Sequence, residues 1–511
     1  MSEWSEGYVS DINYTYGYYS ELNPNNTVIP FLMAGLTPPK IKNACELGFG
    51  QGVSLNIHAS ASDVQWYGTD FNPSQVGFAQ ELAEIAGNNA QVYDQSFRAF
   101  CERDDLPEFD FIGLHGIWAW ISLENQQIIT DFIRRKLRVG GVVYISYNTL
   151  PGWSTLAPLQ HILNQYDQVV GSRKDSKLER VNNAFDFSKT LMQLSPAMVQ
   201  QAPVLLDRIQ HNSEKDPSYL AHEYLNQDWQ ALYFSQVAEA LAPAKLSYVS
   251  SANYLEDFSA SNLNAEQQAF LNNVADPVFK QTSKDYLQNK IFRRDYWVKG
   301  ARSLSAHQLE QHWQPLRFIL LDNAANVELK ISGALGTVDL REDIYQPLLT
   351  ALSDHKIHSY GSLKEQMPAS FNAQLLSEAL AILHGKGSIA LVQETATMQA
   401  ARPKCKNLNA HIIEQNINGS EVSYLASPVT GGSVQVGRVP MLFLHAYMQG
   451  QTEQQAWVES AWQVLSSQGQ CLLKEGNKLV GDEANLAELT SLAQTFEQDL
   501  LQSLKYLQIV E

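Results

Sequence analysis

Between about residues 41 and 150, short apolar runs alternate with segments whose apolar residues recur at helical spacing. This alternation is typical of βαβ units, in which each buried strand is followed by a helix that packs on the sheet. Helices are predicted over Pro73–Ala86 and Gln126–Lys136. The predicted strands are Asn43–Leu47, Trp66–Asp70, Gln91–Tyr93, Phe109–Leu114 and Val142–Tyr147. The pattern therefore predicts an α/β fold with a doubly wound, mainly parallel sheet.

From residue 156 to 239 the pattern is helical, and two strand-like runs follow at Lys245–Ser250 and Lys290–Trp297. The economical interpretation makes these runs the last two strands of the same sheet. It gives a Rossmann-like domain over 41–155 and 240–300 with seven strands, a helical insertion over 156–239, and a preceding segment over 1–40.

Residues 301–511 form a separate α+β region in this interpretation. Helices are predicted at Tyr345–Leu352, Leu363–Met367 and Phe371–Leu383, before a strand at Ser388–Val392. A similar order recurs at Leu442–Met448 and Gln454–Leu465, before a strand at Gln470–Lys474. Two helices followed by a glycine-led hairpin suggest winged-helix-like modules over about 340–395 and 438–482. We expect them to pack or dock proteins rather than bind DNA.

The charge balance explains that preference. The chain carries 54 acidic and 36 basic residues, a net charge of −18, which opposes attraction to nucleic acid or to an anionic membrane. A cluster at 134–138 contains Arg134, Arg135, Lys136 and Arg138, and is interpreted as cations at a helix C-terminus. We expect no nucleic-acid partner and no membrane insertion, since no run of about 18 apolar residues and no secretory signal occurs.

Four scattered cysteines contain no CxxC pair, so no zinc cluster or disulfide framework is indicated, and we expect a cytoplasmic protein without a metal. The sequence does not indicate an oligomeric state.

A glycine-rich motif runs from Glu46 to Gly52, with glycines at 48, 50 and 52 at the end of the first predicted strand. Its spacing differs from the Gly-x-Gly-x-x-Gly of dinucleotide sites and resembles motif I of the class I methyltransferases. Asp70 ends the next strand, where a carboxylate can accept both hydroxyls of a ribose. The alternative is that Asp70 only caps the helix that begins at Pro73. The candidate S-adenosylmethionine-binding residues are Glu46, Gly48, Gly50, Gly52, Asp70, Phe71, Ser96, Phe97 and His115.

Ser96 and Phe97 follow the third strand, where an adenine would lie, although Phe97 could equally belong to the core. The segments that begin at His115 and Ser146 follow the fourth and fifth strands, at the edge where open α/β sheets bind ligands. Aromatic rings there suit a cationic methyl donor and an amine acceptor. The candidate substrate-binding residues are Trp118, Trp120, Asn148 and Tyr18.

These two segments, together with His222-Glu-Tyr-Leu-Asn226, resemble the bacterial methyltransferases that carry a methyltransferase regulatory domain, here expected at about 205–300. That family includes protein-lysine methyltransferases of outer-membrane proteins. The resemblance covers roughly residues 10–300 and departs from the rickettsial lysine enzymes at Phe49, Gln51 and Trp118. It implies transfer of a methyl group to a protein lysine; a small-molecule acceptor, or a docking protein with a vestigial site, are the alternatives.

A tyrosine-rich segment over 14–19 precedes the first strand and is interpreted as a lid over the cofactor or as an aromatic plug on the sheet. His115, Tyr147 and Tyr14 are the candidates for shaping or deprotonating the acceptor. For His222 and Glu223 we expect a structural role, because no second metal-ligand pair accompanies them.

Overall fold

The computed structural model describes residues 15–172, 174–212, 217–226, 228–419 and 421–511. Two 3-10 turns, Ser20–Leu22 and Pro24–Thr27, and helix α1, Val28–Met33, precede the sheet. The first part of the α/β unit then follows in the order β1 Asn43–Leu47, α2 Val53–Ala61, β2 Gln65–Asp70, α3 Pro73–Ala86, β3 Gln91–Asp94, α4 Phe97–Cys101, β4 Phe109–Leu114, 3-10 turn Trp118–Trp120, α5 Leu123–Lys136 and β5 Leu137–Asn148.

The remainder of this unit is mainly helical. The elements are α6 Ala157–Val169, α7 Lys177–Gln193, α8 Pro196–Gln201, α9 Val204–Asn212, α10 Pro217–Tyr224, α11 Phe234–Leu241, 3-10 turn Ala242–Ala244, β6 Leu246–Ser251, α12 Tyr254–Asp257, α13 Ser259–Asn262, α14 Ala265–Asn272, α15 Pro277–Gln288 and β7 Phe292–Lys299. The helices of 157–224 enclose an apolar core of their own around Leu163, Phe185 and Tyr224.

Strands β1 to β7 form one sheet in the order β3-β2-β1-β4-β5-β7-β6, in which β7 is antiparallel to both β5 and β6. The predicted seven-stranded, doubly wound fold is thus confirmed. Local sequence sets the helix ends. Asn72 accepts a hydrogen bond from the Ser74 amide at the start of α3, and Gly87, with φ +64°, ends it. Arg134, Arg135 and Lys136 lie in the last turn of α5, as the sequence predicts.

The C-terminal half contains α16 Ala306–Trp313, β8 Arg317–Leu320, 3-10 turn Ala324–Asn326, β9 Lys330–Gly333, β10 Gly336–Asp339, α17 Glu342–Leu352, β11 His358–Ser359, α18 Tyr360–Gln366, α19 Ala373–Gly385, β12 Ile389–Leu391, α20 Thr395–Asn418, β13 Tyr424–Ser427, β14 Gly432–Gln435, α21 Arg438–Met448, α22 Gln454–Ser467, β15 Leu473–Lys474, β16 Asn477–Lys478, α23 Asp482–Thr495, a π-helical turn Phe496–Leu501 and α24 Gln502–Tyr506.

The predicted order of helices is present in both candidate modules, but their hairpins differ. In the second, β15 and β16 form a short hairpin after α22. In the first, β12 pairs with β8, which precedes the helices, and α20 begins at Thr395 where a hairpin would need a further strand. The glycine-led hairpin expected there is therefore absent from the described residues 385–419, and the winged-helix assignment stays a prediction.

Helix α20 packs the C-terminal half directly onto helices α2 and α3. Val53, Ile57 and Leu82 share one apolar core with Leu408 and Ile412 of α20. All nine residues of α2 are buried, because the sheet covers one side and the C-terminal half the other. The C-terminal half thus forms the outer support of the helix that follows Gly52.

Candidate functional site

A pocket opens at the carboxyl ends of β1, β2 and β4, where open α/β sheets place their ligands. It contains about 840 Å³ of empty space, part of it open to solvent. We call it the strand-end pocket. Its lining includes nine of the predicted site residues: Glu46, Gly48, Gly50, Gly52, Asp70, Phe71, Phe97, His115 and Trp120.

The glycine loop reaches the pocket with its backbone because its glycines adopt the left-handed backbone conformation. Gly48 has φ +72° and Gly52 has φ +67°, conformations that residues with a Cβ rarely adopt. A Cβ on Gly48 would lie 2.8 Å from Ile117, and one on Gly52 would lie 2.6 Å from Ala79 of α3. The first glycine therefore keeps the pocket open, and the last allows α2 and α3 to pack closely.

Asp70 holds this loop in place and can still accept hydrogen bonds from a ligand. One carboxylate oxygen accepts the Gly50 amide at 2.9 Å, and the other accepts the Asn72 amide at 3.0 Å. The Phe71 amide also bonds to this carboxylate, whose two oxygens offer about four acceptor positions, so capacity for a ribose hydroxyl remains. The cap of α3 is the Asn72 side chain, so Asp70 is not needed as the helix cap.

Glu46 is buried beside Asp70, and its Oε2 has no hydrogen-bond partner within the described part of the chain. Burial raises the pKa of Glu46 to about 8, and the charge of Asp70 adds to this effect. Burial also raises the pKa of Asp70 to about 6, although the Asn72 and Gly50 amides oppose the shift. Two buried carboxyl groups with raised pKa values favour a ligand that brings hydroxyl groups and positive charge. The residues therefore fit S-adenosylmethionine.

An apolar side of the pocket lies next to β3 and β4. Phe97 lines it together with Ile117 and Ile121, and Gln95 adds a polar edge. Such a surface suits the face and edge of an adenine. Ser96 does not line the pocket; its hydroxyl accepts the Ala99 amide and caps α4. Ile117 and Ile121 were not singled out from the sequence, since single aliphatic residues after a strand resemble ordinary core positions.

His115 lies at the other end of the pocket between two tyrosine rings. Its ring stacks on Tyr19 with centroids 3.5 Å apart, and its Nδ1 lies 2.9 Å from the Tyr144 hydroxyl. Burial lowers the pKa of His115 to about 3, and the positive charge of Arg294 acts in the same direction. The imidazole is therefore neutral at physiological pH, and its surroundings disfavour a second cation.

Strand alternation decides which residues of β5 face His115. Tyr144 bonds to the imidazole, and Ser146 accepts the Gly116 amide at 2.8 Å. Tyr147 therefore points to the opposite face, because side chains alternate along a strand. It is fully buried there and donates to Asp295 at 2.9 Å. The structure does not bring Tyr147 to the strand-end pocket.

Three further predicted residues also lie outside this pocket. Trp118 is fully buried in the core below the sheet, whereas Trp120, two residues later, lines the pocket. Asn148 is buried at the end of β5, where its carbonyl accepts the Leu232 amide. Tyr18 packs between His58 and Tyr424 of the C-terminal half.

In the N-terminal segment, Tyr19 rather than Tyr18 reaches the strand-end pocket, together with Thr15 and Gly17. The sequence could not separate the two neighbouring tyrosines, which point to opposite sides of an extended segment. Tyr14 lies outside the described residues.

His222 is buried in α10, and its carbonyl accepts the Asn226 side chain at 2.6 Å. Neither His222 nor Glu223 lines the strand-end pocket. Among the residues that the structure describes, no cluster of His, Cys, Asp and Glu is arranged to hold a metal ion. The described helices also include none that is both long and apolar enough to cross a bilayer.

Comparisons with known proteins agree with this geometry. Residues 216–299 match the family model described as a predicted methyltransferase regulatory domain. The uncharacterized protein sll1526 of Synechocystis sp. is 37% identical over 504 residues, which cover 98% of each chain. The chain belongs to the class I S-adenosylmethionine-dependent methyltransferases with a methyltransferase regulatory domain.

Two more relatives are informative. The protein RP789 of Rickettsia prowazekii is 25% identical over 287 residues, 54% of this chain and 49% of its own length. The structure of PKMT2 from Rickettsia typhi in complex with AdoHcy superposes with a TM-score of 0.68 at 18% identity, and covers 97% of this chain and 99% of that one. At this identity the similarity to PKMT2 establishes the fold, including that of the C-terminal half.

Proposed function

We propose that this methyltransferase methylates the side-chain amine of a protein lysine, with the methyl donor in the strand-end pocket. When bound, S-adenosylmethionine supplies a methyl group on a positively charged sulfur. In this proposal the Gly48–Gly52 loop approaches the donor with its backbone, and Asp70 accepts the hydroxyls of its ribose. Phe97 contacts the adenine of the donor. The acceptor lies among His115, Tyr19 and Trp120.

The observation that carries the proposal is the lowered pKa of His115, which keeps its imidazole neutral. An amine attacks only through its neutral form, because the ammonium has no lone pair. An environment that lowers the pKa of His115 to about 3 also lowers that of an ammonium entering beside it. The same end of the pocket therefore favours the nucleophilic form of an amine acceptor.

Two further facts support the proposal. The rings of Tyr19 and Trp120 form walls against which the methylene chain of a lysine could pack. The segments His115–Trp120 and Ser146–Trp153 resemble the methyltransferases with a methyltransferase regulatory domain, a family that includes protein-lysine methyltransferases, and the PKMT2 structure with the same overall fold contains AdoHcy. His115 acts here as a neutral positioning group, since its lowered pKa makes it a poor base.

The test uses S-adenosylmethionine labelled at its methyl group, in an extract of the source organism. We expect label in protein, recovered as methyl-lysine after complete hydrolysis, and much less label with Asp70→Asn at the same donor concentration. Label found only in small molecules, and absent from protein, would contradict the lysine proposal and favour a metabolite acceptor. An Asp94→Asn variant is the matched control, because Asp94 is exposed at the end of β3 and lies outside the pocket lining.

A further inference from the structure

A second cavity lies behind the N-terminal segment, where that segment meets the sheet and the C-terminal half. We call it the junction cavity. Its volume is about 460 Å³, within the range of small-molecule sites. Its walls come from residues 18–30, 252–254, 384–390 and 424–435. It shares no lining residue with the strand-end pocket, so a ligand bound here would occupy a separate site.

The walls are rich in groups that can both donate and accept hydrogen bonds. Amide and hydroxyl side chains line the cavity in three of its four stretches, 18–30, 252–254 and 424–435: Asn23, Asn26, Asn253, Thr430, Ser433 and Gln435. The rings of Tyr254 and Tyr424 add apolar surface. Amides and hydroxyls are complementary to a ligand whose own groups are hydroxyls, since each can serve as donor or acceptor.

Among the residues that the structure describes, none leaves an uncompensated charge in the lining of the cavity at neutral pH. Glu21, the one acid in its lining, forms an ion pair with Arg294 at 2.5 Å. Arg294 also pairs with Glu256, whose second partner is Lys290 at 2.9 Å, so two acids face two bases. His384 is the one histidine in the lining; burial lowers its pKa to about 4, and its Nε2 lies 3.3 Å from the Asn26 side chain. A charged ligand would lose its hydration here without gaining a counter-charge.

We propose that the junction cavity binds a neutral polyhydroxylated small molecule, a sugar or polyol, recognised by amide and hydroxyl side chains from the N-terminal segment and the C-terminal half. The cavity is assembled from stretches about 400 residues apart, from Tyr18 to Gln435. Bound ligand would therefore connect the two halves and stabilise their association. The site is independent of the methyl acceptor and of the donor.

The test is saturation-transfer NMR on the full chain with ribose, glucose and sucrose at millimolar concentration. S-adenosylhomocysteine is present throughout, so that sugar hydroxyls do not occupy the donor site. We expect transfer to at least one neutral sugar, and weaker transfer to glucose 6-phosphate than to glucose. Absence of transfer to all three neutral sugars, or stronger transfer to the phosphorylated one, would overturn the proposal.

Two variants locate the binding. Ala390 lies in the cavity wall on β12, and Ala390→Tyr fills the space; it should weaken sugar binding at least tenfold. Ala400→Tyr makes the same change at an exposed position of α20 and should leave binding unchanged. If Ala390→Tyr does not fold, the test uses Gln435→Leu at the exposed end of β14, for which we expect the affinity for sugar to fall at least threefold. Binding that persists unchanged in the folded variant refutes the site.

Discussion

The ring of Tyr19 lies parallel to the imidazole of His115, with 3.5 Å between centroids and 22° between planes. Tyr19 belongs to a segment that precedes the sheet, and His115 follows β4, so the contact closes one end of the strand-end pocket. The contact shields the imidazole from water. The neutral state of His115 therefore depends in part on a residue remote from it in sequence.

Removing the Tyr19 ring should raise the pKa of His115. In the native chain burial lowers this pKa to about 3, and Tyr19→Ala would admit water, so we expect a rise toward the ordinary value of about 6.5. NMR titration of the histidine ring protons measures it. Tyr19→Phe keeps the stacked ring and should keep the low pKa. An unchanged His115 titration in Tyr19→Ala would show that Arg294 and the deeper core determine the shift.

Replacing Asp70 should weaken donor binding. Asp70→Asn removes the negative charge and one acceptor, and hydrogen bonds to a charged group contribute about 1.5–3 kcal/mol each, so we expect a loss of roughly 10- to 100-fold or more in affinity. Calorimetry with S-adenosylhomocysteine measures it. Asp94→Asn makes the same change of charge at an exposed neighbour in register with Asp70, and should bind normally. Equal affinity in both variants would refute the ribose contact.

Glu46 should make the protein less stable as the pH rises. The unfolded chain releases this proton near its ordinary pKa of 4.5, whereas the folded chain holds it until about pH 8. Between these values the folded state binds more protons, so the free energy of unfolding falls with rising pH, by up to about 1.4 kcal/mol per pH unit. Glu46→Gln removes this dependence and should be more stable than the native chain at pH 9.

Urea denaturation from pH 4 to pH 9 tests the Glu46 prediction. The exposed Glu84 provides the matched control, and Glu84→Gln should follow the native curve. Asp70 contributes in the same direction between its ordinary pKa of 3.8 and about 6, so the native curve should fall most steeply below pH 6. Parallel curves for native and Glu46→Gln chains would mean that Glu46 titrates normally in the folded state.

Lys404 should stabilise the join between the two halves. Its ammonium donates to the carbonyls of Ala59 at 2.9 Å and Ser62 at 2.8 Å, at the C-terminal end of α2, where a cation is favourable. Lys404→Met leaves those carbonyls without this donor, and we expect a loss of about 1–3 kcal/mol in the free energy of unfolding. Lys406→Met, at an exposed ion pair with Glu511, should change little. Similar stability of the two variants would contradict this role.

The sheet could be predicted because its strands are short apolar runs separated by amphipathic helices. The observed strands β6 and β7 begin and end within two residues of the predicted runs, despite the helices between them. The glycine loop and Asp70 could also be singled out from the sequence. The backbone conformation at Gly48 and Gly52 favours glycine, and this leaves a local pattern in the sequence.

The sequence could not predict which side of the chain faces the pocket. Ser146 and Tyr147 are adjacent on β5, and the alternation of side chains along the strand places Ser146 against Gly116 and Tyr147 against Asp295 on the opposite face. Tyr18 and Tyr19 differ in the same way on a segment without regular structure. The sequence of α2 is consistent with burial by the C-terminal half, because it contains no acidic, lysine or arginine residue on any side, as expected when both sides of a helix are buried.

Because α2 lies between the sheet and α20, the glycine loop is anchored to the most enclosed helix of the α/β unit. Opening the pocket at its base would require the C-terminal half to detach. A fragment that ended near residue 300 would expose Val53 and Ile57 to water and would be prone to aggregate. Ligand in the strand-end pocket should accordingly slow amide hydrogen exchange in α20 as well as in α2, so that donor binding is detectable far from the donor.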